Sequence, residues 1–159
     1  MAQLSLRFER DYEFPRVIVW DALVDSDLVS GWLAEATVVA EPGGEFTLAD
    51  SRSGQAPFRG RVESMRSGEA LVVEAEDASM EFSLEHLDGG NRGSSTRLHV
   101  TVGVAVDRRF AATVQADWLS NLDQLEDLLR GHPVDWAHWQ RDYGESWLQH
   151  RGDKGNSTA

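Results

Sequence analysis

Apolar and polar positions alternate from residue 3 to residue 13. Leu4, Leu6, Phe8 and Tyr12 fall on one side, and Ser5, Arg7, Glu9 and Asp11 on the other. A period of two over this length predicts a half-buried strand, with the apolar side broken once, by Arg10. Pro15 then opens a helix at a position where its missing N–H costs nothing, and Val17, Trp20 and Val24 follow at helical spacing. Asp25 or Ser26 caps a second, short helix, which Gly31 ends just before Trp32 and Leu33. Six strand segments come next: 36–41, 45–49, 58–65, 70–76, a segment around Met80, Phe82 and Leu84, and one around Leu98, Val100, Val102 and Val104. Turn residues separate them, at Pro42-Gly43-Gly44, in a polar loop at 50–57 with Gly54 and Pro57, at Ser67-Gly68, and at Asp88-Gly89-Gly90-Asn91. The period changes at Asp107. Phe110, Val114, Trp118, Leu122, Leu125 and Leu129 form one stripe that predicts a long amphipathic helix to Arg130, ended by Gly131 and Pro133.

This order predicts an α+β fold. Consecutive strands joined by tight turns imply an antiparallel sheet of about seven strands. A long helix after such a meander lies across the concave face of the curved sheet, and helix and sheet leave room for a cavity between them. No internal repeat or linker is visible.

Composition narrows the function. The 159 residues fit one domain. Lys and Arg number 15 against 27 Asp and Glu, for a net charge of −12. A field of that sign opposes nucleic acid and anionic membrane surfaces as partners. The absence of cysteine removes disulfides, thiolate catalysis and Cys-type metal sites. The N-terminal residues carry no signal-peptide pattern, and no apolar run is long enough for membrane insertion, so a cytoplasmic location is expected. No phosphate loop, dinucleotide fingerprint or Gly-x-Ser-x-Gly nucleophile motif is present, and no cofactor is expected.

The segment from Phe14 to Leu28, with its Pro15, Val19-Trp20, Ala22-Leu23 and Asp25, resembles the opening helix pair of START-like, or SRPBCC, domains. Three further motifs of that superfamily are matched by Pro42-Gly43-Gly44 with Phe46, by Gly60-Arg61-Val62, and by Trp118 with Leu122 and Leu125. The branch it is most similar to is the homologues of the activator of heat-shock protein ninety ATPase. The resemblance covers about residues 3–131. Ser26 departs from the pattern, standing where the family usually has Pro, and Trp32 stands alone where many relatives have two Trp. The resemblance implies a helix-grip fold with an internal apolar cavity. It implies no single activity, because members bind lipids, polyketides, hormones or toxins, some are cyclases or hydrolases, and some contact chaperones.

Strand parity and the helix stripe nominate a ligand-binding set: Trp32, Phe46, Phe58, Val62, Val73, Met80, Phe82, His86, Val100, Val114, Trp118 and Leu122. Leu48, Leu84, Val102 and Phe110 share the same phase. His86 has the inward parity of Met80, Phe82 and Leu84, which makes it a candidate hydrogen-bond donor or general base near the strand end. Gln115 and Asn121 flank the helix stripe and are the other polar candidates. Arg59, Arg61 and Arg97 fall on the outer face with Glu63, Glu81 and Glu85, as cross-strand charge pairs. The leading expectation is a binder of an apolar or aromatic small molecule. An interaction module acting on a chaperone ATPase, and a cyclase or hydrolase on a polyketide-like substrate, are the alternatives.

Residues 132–151 form a Trp-rich extension. Trp136, Trp139, Tyr143 and Trp147 are spaced for one helix face, and Asp135 can cap a helical turn or two. They pack either on the chain's own domain or across a homodimer. His132, His138 and His150 cluster there with Asp135 and Asp142, which reads as a solvated helix face rather than a metal site. From about Gly152 the composition is that of a disordered tail.

Overall fold

A computed structural model describes residues 2–49, 57–90 and 93–157, with side chains through residue 152. Most of the polar loop at 50–57, including Gly54, lies outside the described residues, as does Asn91. The elements are β1 (Ala2–Tyr12), α1 (Arg16–Val24), α2 (Ser26–Val29), β2 (Ala36–Val38), β3 (Glu45–Leu48), β4 (Phe58–Arg66), β5 (Ala70–Glu74), β6 (Ala78–Asp88), β7 (Ser94–Val106), α3 (Ala111–Leu129) and α4 (Trp139–Ser157). The strands form one antiparallel seven-stranded sheet in the order β1-β7-β6-β5-β4-β3-β2. This is the helix-grip architecture: α3 lies against the inner face, with α1 and α2 closing one end.

The sheet keeps the parity read from the sequence. Val62, Val73, Met80, Phe82, Leu84, Leu98, Val100 and Val102 are all buried on its inner face. Gly60 shares that face. A Cβ there would lie 2.5 Å from the Phe58 ring and 2.6 Å from the Glu74 carbonyl oxygen, so glycine lets the Phe58 ring fold back over its own strand. The ring then meets Phe46 edge-on at 6.2 Å.

Three side chains on the inner side of β1 and β7 reach across to other elements. The Tyr12 hydroxyl donates to the Leu122 carbonyl on α3 at 2.9 Å. Thr96 donates to the Phe14 carbonyl at 2.7 Å. Arg10, the break in the alternation, donates to Asp123 Oδ1 on α3 at 2.8 Å. On the outer face, Arg97 pairs with Asp11 and Glu9 of β1 rather than with the glutamates of β6, while Glu85 takes His99. The Arg97 guanidinium holds the Asp11 carboxyl below its usual range, but solvent screens such exposed pairs and they contribute little to stability.

Asp25 caps α2, its carboxylate accepting from Leu28 N at 3.1 Å. Ser26, in the family's proline position, has a separate task. Its hydroxyl accepts from Val38 N at 2.8 Å and donates to Val38 O at 3.2 Å, closing both backbone groups of one residue on the edge strand β2. The long helix begins later than its stripe suggests. Asp107 caps a 3-10 turn at Arg108–Phe110, and α3 starts at Ala111. In contrast, α4 extends to Ser157, well beyond a turn or two and past Gly152. Once a helix is nucleated and docked, each added residue costs little.

Burial pushes the Tyr12 phenol well above its ordinary value of 10.0. The folded state therefore favours the protonated form, and this contribution is complete below pH 10 and lost as pH rises above it. Lys154 is the chain's one lysine, so tyrosines dominate titration in that range. Urea denaturation between pH 7 and 11.5 should show Tyr12→Phe less stable at neutral pH by about 1 kcal/mol. Above pH 10 its decline should be shallower than the parent's by about 1.4 kcal/mol per pH unit.

Candidate functional site

The inner face is filled unevenly along α3. At the C-terminal half of the helix, Tyr12, Trp20, Leu23, Leu98, Leu122 and Leu125 are buried together in the core. At the N-terminal half a cavity of about 700 Å³ opens between α3, the β5–β6 turn and the end of β7. That size suits a small organic ligand. Leu33, Leu48, Phe58, Met80, Val102, Val104, Val114 and Trp118 supply apolar wall, and Ala34, Ala75, Ala78 and Ala105 leave the space that larger residues would fill. Pro57, Arg59, Glu76, Asp77 and Phe110 line it while exposed to solvent, which marks the mouth.

Trp118 is the inner wall's largest side chain. It stacks near Phe8 at 6.3 Å, meets Trp32 edge-on at 6.5 Å and lies 6.2 Å from Phe82. Trp32 itself is fully buried, its indole N–H donating to the Ala22 carbonyl at 2.7 Å.

Of the twelve nominated residues, Phe58, Met80, Val114 and Trp118 line the cavity. Trp32, Phe46, Val62, Val73, Phe82, Val100 and Leu122 are buried in the core instead. Parity selects the face of a strand but not the height at which the helix lifts away from it. His86 is a correction: it is exposed, and its Nε2 lies 3.0 Å from Asp88 Oδ1. It keeps the inward parity but sits on β6 beyond the cover of α3. Gln115 is absent from the lining, whereas Asn121, 3% exposed, is part of it. Thr113 and Asp117 also line the cavity and were not nominated, because polar residues at the margin of an amphipathic stripe read as solvent-facing.

Helix α4 packs along α3 through polar ends of its aromatic side chains. Trp139 Nε1 donates to Gln124 Oε1, Tyr143 to Asp127 and Trp147 Nε1 to Asp117 Oδ1, while Trp136, in the turn before α4, donates its Nε1 to the Ser30 carbonyl after α2, all at 2.6–2.8 Å. His150 pairs with Asp123 Oδ2 at 2.7 Å, opposite the Arg10 bond on the same carboxylate, and Arg151 donates to Thr113 at 3.2 Å. The extension thus packs on its own domain, and two of these bonds end on cavity-lining residues. His138 is committed to Asp135, and Arg141 to Asp142. Among the described residues no group of His, Asp and Glu is placed to hold a metal ion.

The family model described as Activator of Hsp90 ATPase homolog 1-like protein matches residues 13–130. The chain belongs to this family. The search of curated proteins gave no match. Solved structures agree in fold. Protein MLL2253 from Mesorhizobium loti has a TM-score of 0.67 at 18% identity, covering 82% of this chain and 100% of its own. The AHSA1-like protein from Aeromonas hydrophila has a TM-score of 0.65 at 20% identity, covering 80% and 93%. CalU16 from Micromonospora echinospora has a TM-score of 0.63 at 21% identity, covering 92% and 88%. These likenesses establish the fold. The family match ends at Arg130, so α4 lies outside the matched residues.

Truncation before Pro133 separates intramolecular packing from packing across a dimer. Removing α4 strips from α3 hydrogen bonds worth about 1 kcal/mol each, among them the one to buried Gln124. The expected result is a monomer before and after truncation, with a melting temperature lower by roughly 6–12 °C for a loss of about 3 kcal/mol. Light scattering and thermal denaturation read both; a dimer that dissociates on truncation with an unchanged melting temperature would contradict the packing described here.

Proposed function

We propose that this chain binds an apolar or aromatic small molecule in the cavity beneath α3. The single observation that carries this reading is the cavity itself, about 700 Å³ with largely apolar walls and a solvent-exposed mouth. Burial of ligand surface would drive binding, at about 25 cal/mol per Å² before the costs of association. The family's fold is compatible with such a role. Among the described residues no helix is long and apolar enough to cross a membrane, and a cytoplasmic site of action is part of the reading.

Native mass spectrometry of gently purified protein should reveal excess mass that leaves on denaturation. Saturable binding of the neutral dye N-phenyl-1-naphthylamine provides a second readout. Val114→Trp, which fills the lined space, should weaken dye binding at least about tenfold, the scale of one lost apolar contact set, with the circular dichroism spectrum unchanged. Absence of both retained mass and saturable dye binding in the parent protein would remove the reading.

A second reading, an interaction module acting on a chaperone ATPase, is favoured by the family's description and by one surface feature. Val17, 64% exposed, lies with Ile18 and Leu28 on the outside of α1 and α2. Stimulation of a matched chaperone's ATPase rate, reduced by Val17→Asp, would support it; an unchanged rate would exclude it.

A further inference from the structure

We infer that Asp117 is a specificity residue of this cavity, selecting an apolar molecule that carries a protonated amine. The inference rests on the binding reading above and adds the charge of the ligand to it. Asp117 sits on α3 between the cavity side, marked by Val114 and Trp118, and the side covered by α4. It is half-buried and lines the cavity.

Its carboxylate is held from behind. Trp147 on α4 donates its indole N–H to Oδ1 at 2.8 Å. An indole is a neutral donor, so the bond fixes the carboxylate without cancelling its charge. Among the described residues no cation forms an ion pair with Asp117. The arginines near the mouth are exposed, and two of the three, Arg109 and Arg151, have other partners. Arg59 also borders a second depression beside Glu45. Arg109 lies over the Phe110 ring at 5.3 Å and 3.9 Å from Asp107, and Arg151 is bonded to Thr113.

Solvent screens those exposed guanidinium groups, whereas a charge set in an apolar wall is screened less. Glu76 and Asp77 at the mouth have the same sign as Asp117. An ammonium group on a ligand whose body fills the apolar space would meet a fixed acceptor and form a charge-assisted hydrogen bond. A carboxylate on the same body would meet repulsion. In this arrangement Trp147 is a positioning residue, acting through Asp117 from a helix outside the family's matched region.

Three probes sharing one ring system test this at pH 7: 1-naphthylmethylamine, 1-naphthalenemethanol and 1-naphthoate, titrated by calorimetry. The parent protein should bind the amine about tenfold more tightly than the alcohol, and the carboxylate most weakly, as a charge-assisted bond predicts. Asp117→Asn should bring amine and alcohol to within about twofold while the alcohol's dissociation constant stays unchanged. Trp147→Phe keeps the ring bulk, removes the N–H, and should weaken the amine about threefold without moving the alcohol. If the parent binds the alcohol but shows no preference for the amine, or if Asp117→Asn folds and keeps the preference, the inference is overturned and the cavity reading stands. If Asp117→Asn fails to fold, parent preference with its reduction to about threefold in Trp147→Phe still supports the inference, and an unaltered preference in Trp147→Phe overturns it. Failure of all three probes to bind the parent overturns both.

Discussion

A buried amide ties together the parts of the molecule that the site depends on. Gln124 is fully buried on α3. Its Nε2 donates to the Trp32 carbonyl at 2.7 Å, and its Oε1 accepts from Trp139 at 2.7 Å. A primary amide is donor and acceptor at once, so one side chain joins the segment after α2, the long helix and the C-terminal helix. In a low-dielectric setting such a link is rigid when complete and costly when broken. It ties α3 to the segment that carries Trp32, whose ring Trp118 meets edge-on at the inner wall of the cavity.

From that fixed point α3 behaves like a beam braced along one side by α4. Large residues fill the space around Leu122 and Leu125, and the gap widens toward Ala111, where alanines replace them. The back of the beam carries Asp117, Asp123 and Asp127, each accepting a hydrogen bond from α4. Part of the chain's acidity is therefore structural. The Asp123 carboxylate serves two elements, Arg10 of β1 on one oxygen and His150 of α4 on the other. Burial and then the Asp127 carboxylate raise the pKa of Tyr143, so its phenol remains a donor at alkaline pH where a free tyrosine, at 10.0, ionises.

The fold was legible because its signals are local. Alternation, glycine turns and one unbroken helical stripe follow directly from backbone geometry, and the seven strands and the long helix lie where those signals fall. The cavity was legible only in part. Phe58, Met80, Val114 and Trp118 combine the right parity with the right height, while Phe46, Val62 and Val100 have the parity alone. The residues that make the space are alanines, which a search for large apolar side chains passes over. Gln124 and Asp117 were hidden because their partner is α4, whose length a single cap at Asp135 does not reveal. Arg10 was the one visible irregularity, and its bond to Asp123 accounts for it.

The Ser26 hydroxyl bears on how this protein meets its own copies. A sheet edge with free N–H and C=O groups is a template on which another strand can add. β2 is one edge of the sheet and only three residues long. Ser26 occupies both backbone groups of Val38 there, which proline, lacking a hydroxyl, could not do. A strand adding at this edge would first have to displace the Ser26 hydroxyl from both groups, so the blunting of the sheet edge comes from a helix residue outside the cavity lining.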